Sequence, residues 1–224
     1  MTSFELALQE GADAIELDAK LTVDGEIIVM HDASVDRTTN GHGRVSELSL
    51  AAIRKLDAGS SFGVGFLGEP VPTLSEVLER FGQRTLINIE LTNYQTPHDD
   101  LVERVAALVG RLGLVERVLF SSFRAANLSR MSALIPRATV AILANPGLLG
   151  WSARSRGGSR VAPQVVHPFR SDASAAYVRH QHAAGRRVHV WTVDDGDEMR
   201  ALFDRGVDGI FTDDPALARR VLAG

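Results

Sequence analysis

The chain has 224 residues, 45% hydrophobic and 23% charged, with a net charge of −4. That balance is the one of an ordinary globular protein and excludes a disordered one, and the acidic charge argues against a nucleic-acid footprint. No cysteine is present, which excludes disulfides, thiolate nucleophiles and zinc–thiolate sites, and no apolar run approaches the ~18 residues that cross a membrane.

The N-terminus carries no basic region followed by an apolar stretch and a small-residue cleavage site, so it does not read as a signal peptide. Thr2 and Glu5 have capping-box spacing, and Phe4, Leu8 and Ala12 recur at helical intervals. The chain is therefore expected to open on a helix with no strand before it. Strands are predicted at Ala14–Lys20, Thr85–Leu91, Arg117–Ser122, Thr139–Leu143, Gln164–His167, Val188–Val193 and Gly209–Thr212. Helices are predicted between them at Leu74–Phe81, Asp100–Leu112, Ala125–Leu134, Ala173–Ala184 and Asp197–Arg205, with a last one at Pro215–Leu222. Such alternation implies a parallel sheet flanked by helices; it does not by itself separate a barrel from a doubly wound sheet. The stretch Gly147–Pro163 reads as a loop. No linker divides the chain, so 1–224 is expected to be a single domain.

After the first strand, Asp24-Gly25 sits between the strand-like runs Ala19–Val23 and Glu26–Met30. This signals a two-residue hairpin. In that register Val23 pairs with Glu26, and Asp18 lies opposite His31.

Side chains alternate along a strand. Ile15, Leu17 and Ala19 share one face, leaving Glu16 and Asp18 on the other; Ile87, Ile89 and Leu91 likewise oppose Asn88, Glu90 and Thr92. A parallel strand is normally apolar on both faces, and a buried, unpaired carboxylate is costly. Three converging carboxylates need a cation, and an all-oxygen set without cysteine selects Mg²⁺ or Ca²⁺. Each carboxylate taken alone reads rather as a solvated strand end or a salt-bridge partner; the pair Glu16 and Asp18, followed by a hairpin that returns a histidine, is what raises the metal reading. Among the other histidines, His42, His98, His180 and His182 read as surface residues and His189 as core; His167, which ends a strand before Pro168, could face a site but reads rather as a satisfied structural residue. The glycines at 41, 43, 63, 65 and 68 form no strand–GxGxxG–helix unit.

The runs Gly11-Ala12-Asp13-Ala14-Ile15-Glu16-Leu17-Asp18, Leu21-Thr22-Val23-Asp24-Gly25, His31-Asp32 and Arg37-Thr38-Thr39 resemble the glycerophosphodiester phosphodiesterases. So do Val71-Pro72-Thr73-Leu74, Asn88-Ile89-Glu90-Leu91, Ser121-Ser122-Phe123, Val190-Trp191-Thr192-Val193 and Gly206 to Pro215. The resemblance implies a TIM (β/α)8-type barrel with its site at the C-terminal ends of the strands. It implies a divalent cation, Mg²⁺ or Ca²⁺, held by Glu16, Asp18 and Glu90, and His31 as one of two acid–base histidines. It places Trp191 on the glycerol side of the pocket and implies hydrolysis of a small-molecule glycerophosphodiester to glycerol 3-phosphate and an alcohol.

Two departures stand out. Thr92 occupies a position where the resemblance expects a phosphate-facing Lys. The chain also opens at Met1-Thr2-Ser3-Phe4, about where the first helix of the family starts, so the strand ending in H-R-G and the P-E-N-T segment have no counterpart. Seven barrel strands plus a hairpin are expected on that ground, with impaired turnover. The alternatives are a non-catalytic protein that binds phosphodiesters or metal, and a phospholipase D acting on lysophospholipids or sphingomyelin, for which Pro146–Trp151 is the candidate apolar loop. A cytoplasmic location is expected, with secretion left open.

Overall fold

The computed structural model describes residues 1–150 and 162–224. They divide into two compact units, Met1–Glu5 with Ile15–Val118 and Leu6–Ala14 with Leu119–Gly224. Helix α1 (Thr2–Gln9) runs from the first unit into the second.

In the first unit, strand β1 (Ala14–Leu21) lies between β2 (Ile27–Val29) and β3 (Leu86–Leu91). The alternation read from the sequence is realised: Ile15, Leu17 and Ala19 are buried on β1, as are Ile87, Ile89 and Leu91 on β3. The hairpin register, however, is shifted by one. Strand β2 runs antiparallel to β1 with Ala19 opposite Val29 and Leu21 opposite Ile27. The Met30 N–H donates to the Asp18 carbonyl at 3.0 Å, so Met30, and not His31, faces Asp18. The cause is the turn. Thr22 N–H donates to Glu26 O and Gly25 N–H to Thr22 O, both at 3.0 Å, and Gly25 has φ +79°. That is a three-residue loop closed by a glycine bulge rather than a two-residue turn. The Asp24 carboxylate stiffens it, accepting from the Thr22 hydroxyl at 2.6 Å and from the Leu50 N–H at 3.0 Å.

That second bond anchors the turn to α2 (Leu50–Ile53), a short helix absent from the sequence reading, whose first turn is also capped by Ser49. Beneath it Ile28, Met30, Val35, Val45, Ile53 and Val71 form an apolar cluster. Helix α3 (Leu74–Phe81) starts on a complete capping box, with Thr73 and Glu76 satisfying each other's backbone N–H groups, and buries Leu74, Val77, Leu78 and Phe81. Thr2 and Glu5 do not form the expected box. The Thr2 hydroxyl donates instead to Glu69, and Glu5 is clamped by Arg80 at 3.1 Å and Arg84 at 2.6 Å. Tertiary partners with full charges outcompete a local cap. Helix α4 (Leu101–Arg111) buries Leu101, Val102, Val105, Leu108 and Val109 along one face.

In the second unit, β4 (Val118–Ser122), β5 (Thr139–Ala144), β6 (Val165–Pro168), β7 (Arg187–Val190) and β8 (Gly209–Ile210) lie side by side in chain order, and each pairs with the next in parallel. Helices α5 (Ala125–Leu134), α6 (Ala175–Ala183), α7 (Gly196–Asp204) and α8 (Pro215–Ala223) follow β4, β6, β7 and β8. Strands β7 and β8 are shorter than predicted, but pairing continues as single bonds. Phe211 N–H donates to Val190 O at 2.8 Å and Val193 N–H to Phe211 O at 2.9 Å. Arg219 ties the C-terminal helix to Gly11 O at 2.6 Å and to the Asp13 carboxylate. Of the predicted loop from Gly147 to Pro163, Gly147–Gly150 is a 3-10 turn and 151–161 lies outside the described residues. The described strands thus number seven plus the hairpin strand β2, as expected. No helix among the described residues is long and apolar enough to cross a membrane.

The hairpin depends on Gly25. A side chain there must adopt a left-handed conformation, costing about 1–2 kcal/mol, and its Cβ would meet the Arg104 guanidinium at 3.0 Å. Gly25→Ala should therefore lower unfolding free energy by at least that amount in urea titration. Gly25→Asn should be less damaging, since Asn tolerates that backbone region. Equal stability of Gly25→Ala and wild type would contradict the bulged turn.

Candidate active site

Glu16 and Asp18 project from β1 and Glu90 from β3, all in the first unit. One carboxylate oxygen from each lies within 4.8 Å of the other two. Strand alternation puts these groups opposite the buried Ile and Leu rows, and adjacency of β1 to β3 brings them together. Glu16 is exposed, whereas Asp18 and Glu90 are half-buried. Burial, reinforced by the Asp18 charge, pushes Glu90 up to about 7 against a hydrogen bond from the Tyr94 hydroxyl at 2.7 Å. Burial likewise raises Asp18, with the His31 and Lys20 charges opposing it. Two residues before Glu90 on the same strand face, Asn88 is buried and its Oδ1 has no hydrogen-bond partner among the described residues. A carboxylate triad of which Asp18 and Glu90 are held above their ordinary range, with the Asn88 amide oxygen on the same face, fits a hard divalent cation.

Lys20 stands two residues beyond Asp18 on the same face of β1. It is buried, and its ammonium donates to Thr92 Oγ1 at 2.6 Å and, longer, to Thr92 O at 3.4 Å. The Thr92 hydroxyl in turn donates to Ala19 O at 2.7 Å. Thr92, the position read from the sequence as lacking a positive charge, therefore receives one from the neighbouring strand.

The altered hairpin register takes His31 out of the ladder, yet leaves it beside the carboxylates. An open cleft of about 250 Å³ is lined by Glu16, Asp18, Met30, His31 and Val71 among others. The His31 ring is 75% exposed, and its Nδ1 lies 2.7 Å from Asp32 Oδ1. Arg37 grips Asp32 from the other side, Nε donating to Oδ2 at 2.6 Å and Nη2 to Oδ1 at 2.8 Å. These bonds hold the Asp32 carboxyl well below the usual carboxylate range. An ionised Asp32 fixes the Nδ1–H tautomer and leaves Nε2 as the ring atom open to proton transfer. The sequence showed His31-Asp32 and Arg37 only as a string. Their use as a chain of partners, and the bond from Tyr94 to Glu90, had no signal in spacing.

Trp191 lies in the second unit, directly after β7. It is wedged between Phe123 and Phe169, with ring centroids 5.7 and 5.2 Å away, and its Nε1–H donates to His167 O at 2.9 Å. His167 is wholly buried and stacks on His189, centroids 5.4 Å apart. It is not the satisfied residue read from the sequence, because neither ring nitrogen has a partner among the described residues; burial holds it neutral. His42, His98, His180 and His182 are exposed, as expected. In the apolar loop candidate, Leu148 and Leu149 are 93% and 86% exposed, and Trp151 lies outside the described residues.

The raised Glu90 has a pH signature. Between pH 4.5 and about 7 the folded chain holds a proton that the unfolded chain releases, so this group makes stability fall as pH rises through that window. With divalent cations chelated, Glu90→Gln should gain in melting temperature relative to wild type from pH 4.5 to 7 and not beyond. Cation binding must displace that proton, so affinity should weaken by up to about tenfold per unit below pH 7. A pH-independent difference between the two proteins would refute the raised pKa.

The "Glycerophosphoryl diester phosphodiesterase family" model matches residues 1–217. A glycerophosphodiester phosphodiesterase of Caldanaerobacter subterraneus subsp. tengcongensis is 37% identical over 217 residues, 96% of this chain and 88% of that protein. A solved glycerophosphodiester phosphodiesterase from Agrobacterium tumefaciens superposes with a TM-score of 0.83 at 31% identity, covering 96% of this chain and 90% of that one. An Oleispira antarctica phosphodiesterase, solved in complex with the product sn-glycerol-3-phosphate, gives 0.85 at 27% identity, covering 99% and 90%. The fold is accordingly α/β of the TIM-barrel type shared with these enzymes. With a family match across nearly its whole length and a carboxylate triad on the strands where that family's motifs fall, the chain belongs to the glycerophosphodiester phosphodiesterase family.

Proposed function

We propose that this chain hydrolyses small-molecule glycerophosphodiesters to glycerol 3-phosphate and an alcohol, using a divalent cation held by Glu16, Asp18 and Glu90. The observation that carries this reading is the convergence of the three carboxylates within 4.8 Å in a cleft also lined by His31. Their all-oxygen donor set suits Mg²⁺ or Ca²⁺. The cation supplies charge stabilisation for the non-bridging phosphate oxygens.

The protein's own groups do the rest. His31 transfers a proton at Nε2, to the leaving alkoxide or from the nucleophile. Asp32, kept ionised by Arg37, orients the ring. Tyr94 holds the Glu90 carboxylate through one oxygen. The family resemblance gives Trp191, fixed by two aromatic neighbours and its indole N–H, the role of contacting the glycerol carbons.

The test is glycerol 3-phosphate release from glycerophosphocholine and glycerophosphoethanolamine with Mg²⁺, Ca²⁺ or chelator. Turnover should require a divalent cation, and His31→Ala should lower it about 10²–10⁴-fold while leaving cation binding intact by calorimetry. Glu16→Ala should abolish stabilisation by the cation, which in wild type grows with its concentration. Cation-dependent binding of glycerol 3-phosphate without turnover would favour a non-catalytic binding protein. Unchanged cation binding in Glu16→Ala would remove the metal site.

A further inference from the structure

Lys20 acts on the carboxylates through space but, among the described residues, makes no hydrogen bond to them. Its ammonium is buried, with 8% of the residue exposed, and both of its hydrogen bonds go to neutral oxygens of Thr92. Among the described residues, no carboxylate forms an ion pair with it within 4 Å, although Asp18 and Glu90 act on it through space. A buried charge whose bonds are all to neutral groups is costly to hold. In a site that held only a cation, this charge would also repel the ligand.

The charge balance changes if the ligand pair includes an anion. Three carboxylates and one divalent cation leave a net −1, which repels a phosphodiester. Adding one ammonium brings the cluster to neutrality. We infer that Lys20 is a phosphate-binding residue of this site, delivered by β1 and seated on Thr92 of β3, which makes the metal-loaded cleft acceptable to an anionic phosphate. This rests on the hydrolase reading above and adds to it a residue that selects for the anion.

The seat is well built for the task. The Thr92 hydroxyl spends its proton on Ala19 O, so it can only accept from Lys20 and holds the ammonium by a short bond. Asp18 and Lys20 are alternate residues on one face of β1, and Glu90 and Thr92 are alternate residues on β3, so the Lys20–Thr92 pair forms the next layer along from the carboxylates. Position 92 shares the face of Glu90, so a lysine placed there would return a positive charge to the same layer from the opposite strand.

The experiment compares wild type, Lys20→Met, Lys20→Arg and the double variant Lys20→Met/Thr92→Lys by calorimetry, first with Mg²⁺ or Ca²⁺ alone and then with glycerol 3-phosphate at saturating cation. Lys20→Met keeps the side-chain volume, and replacing a buried charge by an apolar group of similar size is commonly tolerated. The expected result is unchanged or tighter cation binding in Lys20→Met, with glycerol 3-phosphate affinity lowered about tenfold or more, as for the loss of one charged hydrogen bond. Lys20→Arg should retain most of that affinity and the double variant should recover it. Undiminished phosphate affinity in a folded Lys20→Met would overturn the inference alone, and so would equal losses of cation and phosphate binding, which mark a merely structural lysine. If Lys20→Met does not fold, Lys20→Arg and Thr92→Val decide. Phosphate affinity unchanged in Thr92→Val, with the ammonium unseated, would reject the arrangement. A wild type that binds cation but no glycerol 3-phosphate would sink both this inference and the hydrolase reading.

Discussion

The repulsion among Glu16, Asp18 and Glu90 is the constraint around which the first unit is organised. Three carboxylate groups brought within 4.8 Å on a partly desolvated strand face cannot all stay ionised without compensation. The structure answers in layers. Tyr94 donates to Glu90, the Lys20 and His31 charges act on Asp18 and Glu90 through space, and burial, with the Asp18 charge adding to it, still pushes Glu90 up to about 7. Such a cluster is under tension until a cation relieves it. Natural sequences tolerate this kind of local conflict at functional sites while the surrounding positions remain mutually consistent.

The surrounding positions are consistent. Ile15, Leu17, Ala19, Ile87, Ile89 and Leu91 are all buried, so the faces opposite the carboxylates are anchored by apolar packing. The hairpin adds a second anchor, because Asp24 links its turn to the start of α2 and Ile28 enters the apolar cluster below. The bulge at Gly25 decides what stands opposite Asp18. Without it His31 would lie in the ladder across from Asp18. With it, Met30 takes that place, and His31 emerges with its ring exposed and free to be oriented by Asp32. An exposed, oriented imidazole suits proton transfer better than one locked into a strand pair.

The second unit carries its own unresolved polarity. Among the described residues the buried His167 has no hydrogen-bond partner for either nitrogen, and it packs against the rings of His189 and Phe211. Its backbone carbonyl has a clearer role, accepting from the Trp191 indole. Together with Phe123 and Phe169, that bond fixes the indole plane.

Period-two patterning by itself determined which strand faces are apolar and which carry Glu16, Asp18 and Glu90, because the side-chain period of a strand is a covalent property of an extended chain. The alternation of strands and helices likewise marked the parallel arrangement, and the motif strings pointed to the family. The tertiary structure decided what depends on more than one segment. Turn closure chose a bulge over a two-residue loop, since Asp24 finds Leu50 some 26 residues on. Glu5 abandoned its local cap for two arginines nearly 80 residues away. Lys20 reached Thr92 across 72 residues of sequence, because strand adjacency places them side by side. Pattern records the direction in which a side chain points, but which side chain it meets is settled only when distant strands pair and pack.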